Sequence, residues 1–192
     1  MHGYTSGEII RNSVFLNKSF KVLAAFKHIQ CFVFDVDGVL TNGTLLVMPG
    51  GLMARTMNIK DGYAIQLAIK KGYKIWVISG GNSEEVKERL NRLGVEEVYM
   101  KVSDKAELLK ELAILNKIEL ANILYMGDDM PDYEAMKLVG IASCPSDAVN
   151  EIKSISQYKA IAKGGEGCAR EVIEKTLKQN DHWDLVDHIR AT

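Results

Sequence analysis

From Ile29 onward the chain alternates between short apolar runs and longer segments of helical periodicity. The first run, Cys31-Phe32-Val33-Phe34, is apolar throughout and is followed at once by Asp35, Asp37 and Gly38. That is the pattern of a strand buried on both faces and ending in a polar loop. Later runs repeat it at Lys74–Ile78 before Ser79-Gly80-Gly81, at Glu97–Met100, at Asn122–Met126 before Gly127-Asp128-Asp129, and at Gly140–Ala142. Helices are predicted between them, over Asp61–Lys71, Asn82–Leu93, Ser103–Asn116, Asp132–Leu138 and Cys168–Lys178. Asn82 is the expected cap of the second and Gly94 its stop. The predicted fold class is α/β, a Rossmann-like parallel sheet with helices on both faces. Ligands of such sheets bind beyond the carboxyl ends of the strands, where the polar clusters fall.

One segment breaks the alternation. Thr44–Met48, Pro49-Gly50-Gly51 and Leu52–Asn58 read as two strands around a turn, so a β-hairpin is expected to project after the first strand. Residues 1–28 read as a leader, helical from about residue 8, that docks on the domain or on a neighbour. Residues 29–179 form the expected single domain, and residues 180–192, with His182, Trp183 and His188, a solvated tail.

Composition narrows the function. With 192 residues, 47% of them hydrophobic, one sizeable core can be buried. The 24 basic and 25 acidic residues give a net charge of −1, which offers no polycationic surface for nucleic acid and points to a small-molecule partner. Three scattered cysteines, Cys31, Cys144 and Cys168, suit neither a disulfide framework nor a zinc site and fit a reducing cytoplasm. No run approaches the roughly 18–20 apolar residues of a membrane span, so no membrane partner is expected.

The candidate chemistry lies in four places. Asp35 and Asp37 are close enough to repel unless a cation or shared proton compensates them, though a bare Asp-x-Asp-Gly is equally readable as a strand-end turn. Gly127-Asp128-Asp129-Met130-Pro131-Asp132 is a second acidic strand end, readable also as helix capping. Two such ends brought together favour a hard cation, Mg²⁺ above all. Ser79 and Gly80 offer a hydroxyl and loop amides to an anion, and Lys105 a positive charge.

In the order carboxylate pair, hydroxyl, lysine, acidic cluster, these segments resemble the four motifs of the haloacid dehalogenase superfamily, over about residues 29–178. The resemblance implies a Mg²⁺-dependent phosphatase. Asp35 would be the nucleophile and Asp37 the acid and base. The metal would be held by Asp35, the Asp37 carbonyl and Asp128, and the phosphoryl group by Ser79, Gly80 and Lys105. Asp129 and Asp132 would orient Lys105 and metal-bound water. A receiver-type signalling domain uses similar residues, but its phosphorylated aspartate follows a middle strand after an earlier acidic pair.

Between the motifs there is no room for the cap domain of most superfamily members. Together with Asn58-Ile59-Lys60-Asp61-Gly62 and Gly164-Gly165-Glu166-Gly167-Cys168-Ala169-Arg170-Glu171, this makes the chain similar to the capless family of 3-deoxy-D-manno-octulosonate 8-phosphate phosphatases. The similarity implies a small phosphorylated sugar acid as substrate, a role in lipopolysaccharide precursor synthesis, and a homotetramer in which a neighbour's hairpin helps to close each site. Lys60, Asp61 and Arg170, with Lys163 beside them, become possible substrate contacts. One departure stands out, because the usual Thr-Gly-Arg after the second strand is Ser79-Gly80-Gly81 here. A related enzyme acting on a nine-carbon 3-deoxy sugar acid 9-phosphate carries glutamate at that place.

Overall fold

The computed structural model describes residues 21–183. In chain order the elements are β1 (Cys31–Phe34), a hairpin of β2 (Leu46–Val47) and β3 (Met53–Ala54), α1 (Ile59–Lys70), β4 (Lys74–Ile78), α2 (Glu84–Arg92), β5 (Glu97–Tyr99) and α3 (Lys105–Asn116). There follow β6 (Ile123–Met126), α4 (Tyr133–Met136), β7 (Ile141–Cys144), α5 (Asn150–Ile155), β8 (Tyr158–Lys159) and α6 (Cys168–Gln179). The six strands other than the hairpin form one parallel sheet in the order β5-β4-β1-β6-β7-β8.

Register brings the site together. Phe34 lies opposite Val77 on one side and Met126 on the other, so β1, β4 and β6 run out at nearly the same level. Asp35, Ser79 and the loop from Gly127 therefore emerge side by side. The chain builds outward from β1 through β4 to β5 and then crosses to β6, which makes this edge the topological switch point.

Strand alternation splits the core into two layers. Phe32, Phe34, Val77, Leu124 and Met126 pack towards α1, α2 and α6, while Val33, Trp76, Ile78, Ile123 and Tyr125 pack towards α3, α4 and α5. All four β1 side chains are buried, which is why the run carries no polar residue until Asp35. Truncating Phe32 or Phe34 to Ala would cost about 3–5 kcal/mol.

No cap domain interrupts this layout: β1 and β4 are separated by the hairpin and α1 alone, and β4 and β6 by α2, β5 and α3. The hairpin is shorter than its sequence suggests, with Leu46 opposite Ala54 and Val47 opposite Met53. Its apolar side chains have no core to enter, and Leu46 and Val47 are 65% and 73% exposed.

Several expectations need correction. Ser83, not Asn82, caps α2: its backbone is extended and its hydroxyl accepts the Val86 N–H at 3.3 Å while donating to Glu85. The helix expected over Asp132–Leu138 shrinks to a tight turn at Met130–Asp132 and the single turn of α4, because Asp132 turns inward instead of opening a long helix. Neither α5 nor β8 was predicted. Of the leader, residues 21–26 are helical and fix Phe26 in the core, edge-on to Tyr158; residues 1–20 lie outside the described residues. The tail is packed as far as it is described: Tyr73 Oη is 3.0 Å from His182 Nδ1, and Trp183 meets Tyr63. His188 lies outside the described residues. Among those described, no helix is long and apolar enough to cross a membrane.

Candidate active site

Asp35 is the first residue past β1. Its N–H donates to the Met126 carbonyl at 3.1 Å, and the residue is only 8% exposed. The chain then winds through a tight turn over Val36–Leu40 in which Gly38 takes φ 88°, a conformation that favours glycine. Space makes the same demand, since a Cβ on Gly38 would lie 2.0 Å from Asp128 Oδ2. Thr41, fully buried, holds the turn: its hydroxyl donates to the Val36 carbonyl and accepts the N–H groups of Gly38 and Gly43.

Lys105, at the first turn of α3, reaches under this loop. Its Nζ lies 2.9 Å from Asp35 Oδ1 and 2.7 Å from Asp132 Oδ1, with its side chain 3% exposed. Burial alone would lower its pKa, but the two carboxylates outweigh burial and raise it, so it is a fixed cation. Asp132 is committed to this task, because Tyr125 Oη also donates to its Oδ1 and the Asp128 N–H to its Oδ2. The same loop explains Gly127, whose Cβ would fall 2.4 Å from the Asp132 side chain.

Asp35, Asp128 and Asp132 bring carboxylate oxygens within 4.8 Å of one another. Three carboxylates against one ammonium leave two excess negative charges when all are ionised, which one divalent cation would offset. Burial first, then the neighbouring Asp132, pushes Asp35 up to about 6 despite Lys105. Burial, Asp35 and Asp132 push Asp128 up to about 7. Asp128 Oδ1 is buried and has no hydrogen-bond partner among the described residues. An all-oxygen donor set with an orphaned buried carboxylate oxygen fits a hard cation such as Mg²⁺.

Ser79, 2% exposed, follows β4, and its Oγ accepts the Gly81 N–H at 3.1 Å. Gly81 is fixed from the other side as well, its carbonyl accepting the Lys101 N–H at 2.9 Å. Lys101 pays for that contact with φ 59°, a left-handed conformation uncommon in lysine. Gly80 lies between, near the Val102 carbonyl.

The residue that sequence reasoning missed is Arg55, on the return arm of the hairpin. Its Nε lies 2.6 Å from Asp37 Oδ1 and its Nη2 donates to Asp37 Oδ2 at 3.1 Å, a two-pronged pair that keeps the guanidinium charged. The one local signal was a lone cation between Met53-Ala54 and Thr56-Met57.

Other predicted residues are engaged elsewhere. Asp61 is 3% exposed, and its Oδ1 accepts the Arg170 N–H at 2.7 Å at the start of α6. The Arg170 guanidinium stacks near Tyr63 and Trp183 and donates to Glu174. Lys60 and Lys163 are exposed, and Asp129 turns its carboxylate to the Met130 N–H, not to Lys105. The glycine-rich segment, by contrast, lies directly on the Asp35 loop. The Gly165 N–H donates to the Val39 carbonyl, and a Cβ on Gly164 would sit 1.9 Å from the Gly38 carbonyl oxygen.

Residues 91–170 match the family model of haloacid dehalogenase-like hydrolases. The 3-deoxy-D-manno-octulosonate 8-phosphate phosphatase KdsC of Escherichia coli K12 is 31% identical over 160 residues, covering 81% of this chain and 83% of the relative. The crystal structure of the corresponding phosphatase from Moraxella catarrhalis, in complex with magnesium ion, phosphate ion and KDO, superposes with a TM-score of 0.82 at 30% identity, over 84% of this chain and 94% of that one. The Yersinia pestis phosphatase gives 0.82 at 29%, over 84% and 88%. Sharing both sequence and fold with these enzymes along most of its length, the chain belongs with them to the phosphatases of the haloacid dehalogenase-like hydrolases.

Proposed function

We propose that this phosphatase hydrolyses 3-deoxy-D-manno-octulosonate 8-phosphate to the free sugar acid and phosphate, with Mg²⁺ as cofactor, in the cytoplasmic synthesis of lipopolysaccharide precursors. The observation that carries the reaction type is the Asp35–Lys105 ion pair facing Asp128 at the end of the central strand. The relatives' substrate supports the choice of sugar acid.

Asp35 attacks phosphorus through a carboxylate oxygen, the bond from phosphorus to the sugar oxygen breaks, and an aspartyl-phosphate forms. Asp37, whose side chain is 34% exposed and so can reach a leaving group, gives that oxygen a proton. It then takes a proton from the water that attacks the aspartyl-phosphate, which restores Asp35 and releases phosphate. Lys105, Ser79 and the Gly80 amide hold the phosphoryl oxygens, and Asp132 with Tyr125 keeps Lys105 from swinging away. The roles of Asp132 and Asp129 differ, since only Asp132 is in contact with Lys105. Mg²⁺, held by Asp35, Asp128 and the Asp37 carbonyl, would neutralise phosphoryl charge. Positioning and charge neutralisation are the main requirements of phosphoryl transfer.

Residues 29–179 are the catalytic unit in this reading, and four copies assemble with the apolar hairpins at their contacts, as the exposure of Leu46 and Val47 suggests. Light scattering should give the mass of a tetramer; a monomer would remove that part.

The decisive assay ranks kcat/KM, with Mg²⁺, for the eight-carbon acid 8-phosphate, a nine-carbon 3-deoxy acid 9-phosphate and neutral hexose phosphates. The eight-carbon acid should lead, and Asp35→Asn should lose at least about 10³-fold in kcat. A neutral hexose phosphate in first place would refute the substrate, and full activity of Asp35→Asn the mechanism.

A further inference from the structure

The expected arginine after the second strand is Gly81 here, yet the space beside Gly81 already contains a guanidinium. A Cβ at position 81 would lie 3.0 Å from Asp37 Oδ2, 3.4 Å from Ser79 Oγ and 3.5 Å from Arg55 Nη2. Arg55 thus approaches from the hairpin the place that a side chain at 81 would occupy, and the lack of a side chain at 81 leaves it room.

The chemistry of the guanidinium fits a receptor. Of its five N–H donors, Nε and one on Nη2 are taken by Asp37, and one on Nη1 by the Met53 carbonyl at 3.3 Å. Among the described residues, one donor on each terminal nitrogen remains, the pair that binds a carboxylate end-on. Arg55 also lines a cleft of about 330 Å³ between hairpin and α2, with Met53, Ser83, Val86 and the charged Glu85 and Arg89 in its walls. This cleft is large enough for part of a sugar acid and starts beside the residue that faces the leaving group. The Arg55 side chain is 6% exposed, held in place by the half-buried Asp37 carboxylate and the Met53 carbonyl.

We propose that Arg55 is the specificity-determining residue of this enzyme, binding the substrate's carboxylate from the hairpin in place of an arginine at position 81. The proposal rests on the sugar-acid reading above and adds the residue that enforces it.

The competing explanation is that Arg55 only positions Asp37. Two alkyl phosphates with the same kind of leaving oxygen separate the two: a sugar acid phosphate and a neutral sugar phosphate, compared as a ratio of kcat/KM so that any effect on Asp37 cancels. Arg55→Met should cut the wild-type preference for the acid by about 100-fold, chiefly through KM for the acid, and Arg55→Lys should retain part of it. A thermal melt with Mg²⁺ confirms that each variant is folded. An unchanged ratio in Arg55→Met, whether both rates fall together or neither does, overturns the proposal while leaving the sugar-acid reading intact. A wild-type enzyme with no preference for the acid overturns both.

Discussion

Gly38 and Asp128 are in contact across the loops of neighbouring strands, so closely that any side chain at position 38 would overlap the Asp128 carboxylate. The turn after β1 and the acidic end of β6 are therefore fitted to each other.

Gly38→Ala should accordingly damage catalysis more than folding. The left-handed backbone costs alanine about 1 kcal/mol, but displacement of Asp128 removes a carboxylate of the proposed cation site. Expected is a fall in kcat of about 100-fold or more, a raised Mg²⁺ requirement, and a melting temperature only a few degrees lower. Near-normal activity would show that Asp128 does not depend on this contact.

Lys105→Met should be destabilising as well as inactivating. It leaves Asp35 and Asp132 buried without their cation, a loss of about 3–5 kcal/mol in the metal-free protein. Asp132→Asn should be milder in stability, since the amide oxygen still accepts from Tyr125 and Lys105. It should still lower kcat, because the charge that fixes Lys105 is lost and the Asp128 N–H faces an amide N–H₂ instead of Oδ2. Denaturant titrations in EDTA measure the first effect, and steady-state kinetics the second.

Magnesium stabilisation should grow with pH. Asp35 and Asp128 are raised to about 6 and about 7 from an ordinary 3.8. Near pH 5 the folded, metal-free protein therefore keeps protons that the unfolded chain has released. Its stability is greatest below about pH 4 as far as these groups are concerned, and is lost as pH rises through 6 and 7. A cation binds the ionised forms, so it must displace protons at pH 5.5 but not at pH 8. The rise in melting temperature from EDTA to MgCl₂ should be larger at pH 8; equal rises would rule out these carboxylates as the site.

Asp61 is expected to be a structural anchor. Asp61→Ala frees the Arg170 N–H and should cost about 1–2 kcal/mol, as loss of a helix cap does. Burial holds Asp61 at about 6, so its own contribution to stability also fades as pH rises through that value. Asp61→Asn should flatten that part of the pH profile. An effect confined to KM for the sugar acid would restore it as a substrate contact.

The strand ends were legible in the sequence because the strands that carry the site, β1, β4 and β6, stay apolar to their last residue and then turn sharply polar, as Phe34 to Asp35 and Met126 to Asp128 do. The parallel register then forces those ends together, so motif order sufficed. Arg55 was not legible, because its approach to Asp37 depends on how the hairpin is anchored, in part by a bridge between Thr41 and Met57. Asp61 misled for a related reason: its partner is 109 residues away in sequence. β8 pairs through only two residues, too few for a pattern to register.

The glycine-rich segment that rests on the Asp35 loop has a consequence in time. Val39 is held by Cys168, whose thiol meets its carbonyl at 3.2 Å across 129 residues of chain. During synthesis the loop bearing Asp35 leaves the ribosome long before the segment that covers it. The nascent chain therefore carries the Asp35 loop before it carries the glycine-rich segment and α6 that cover that loop in the folded protein.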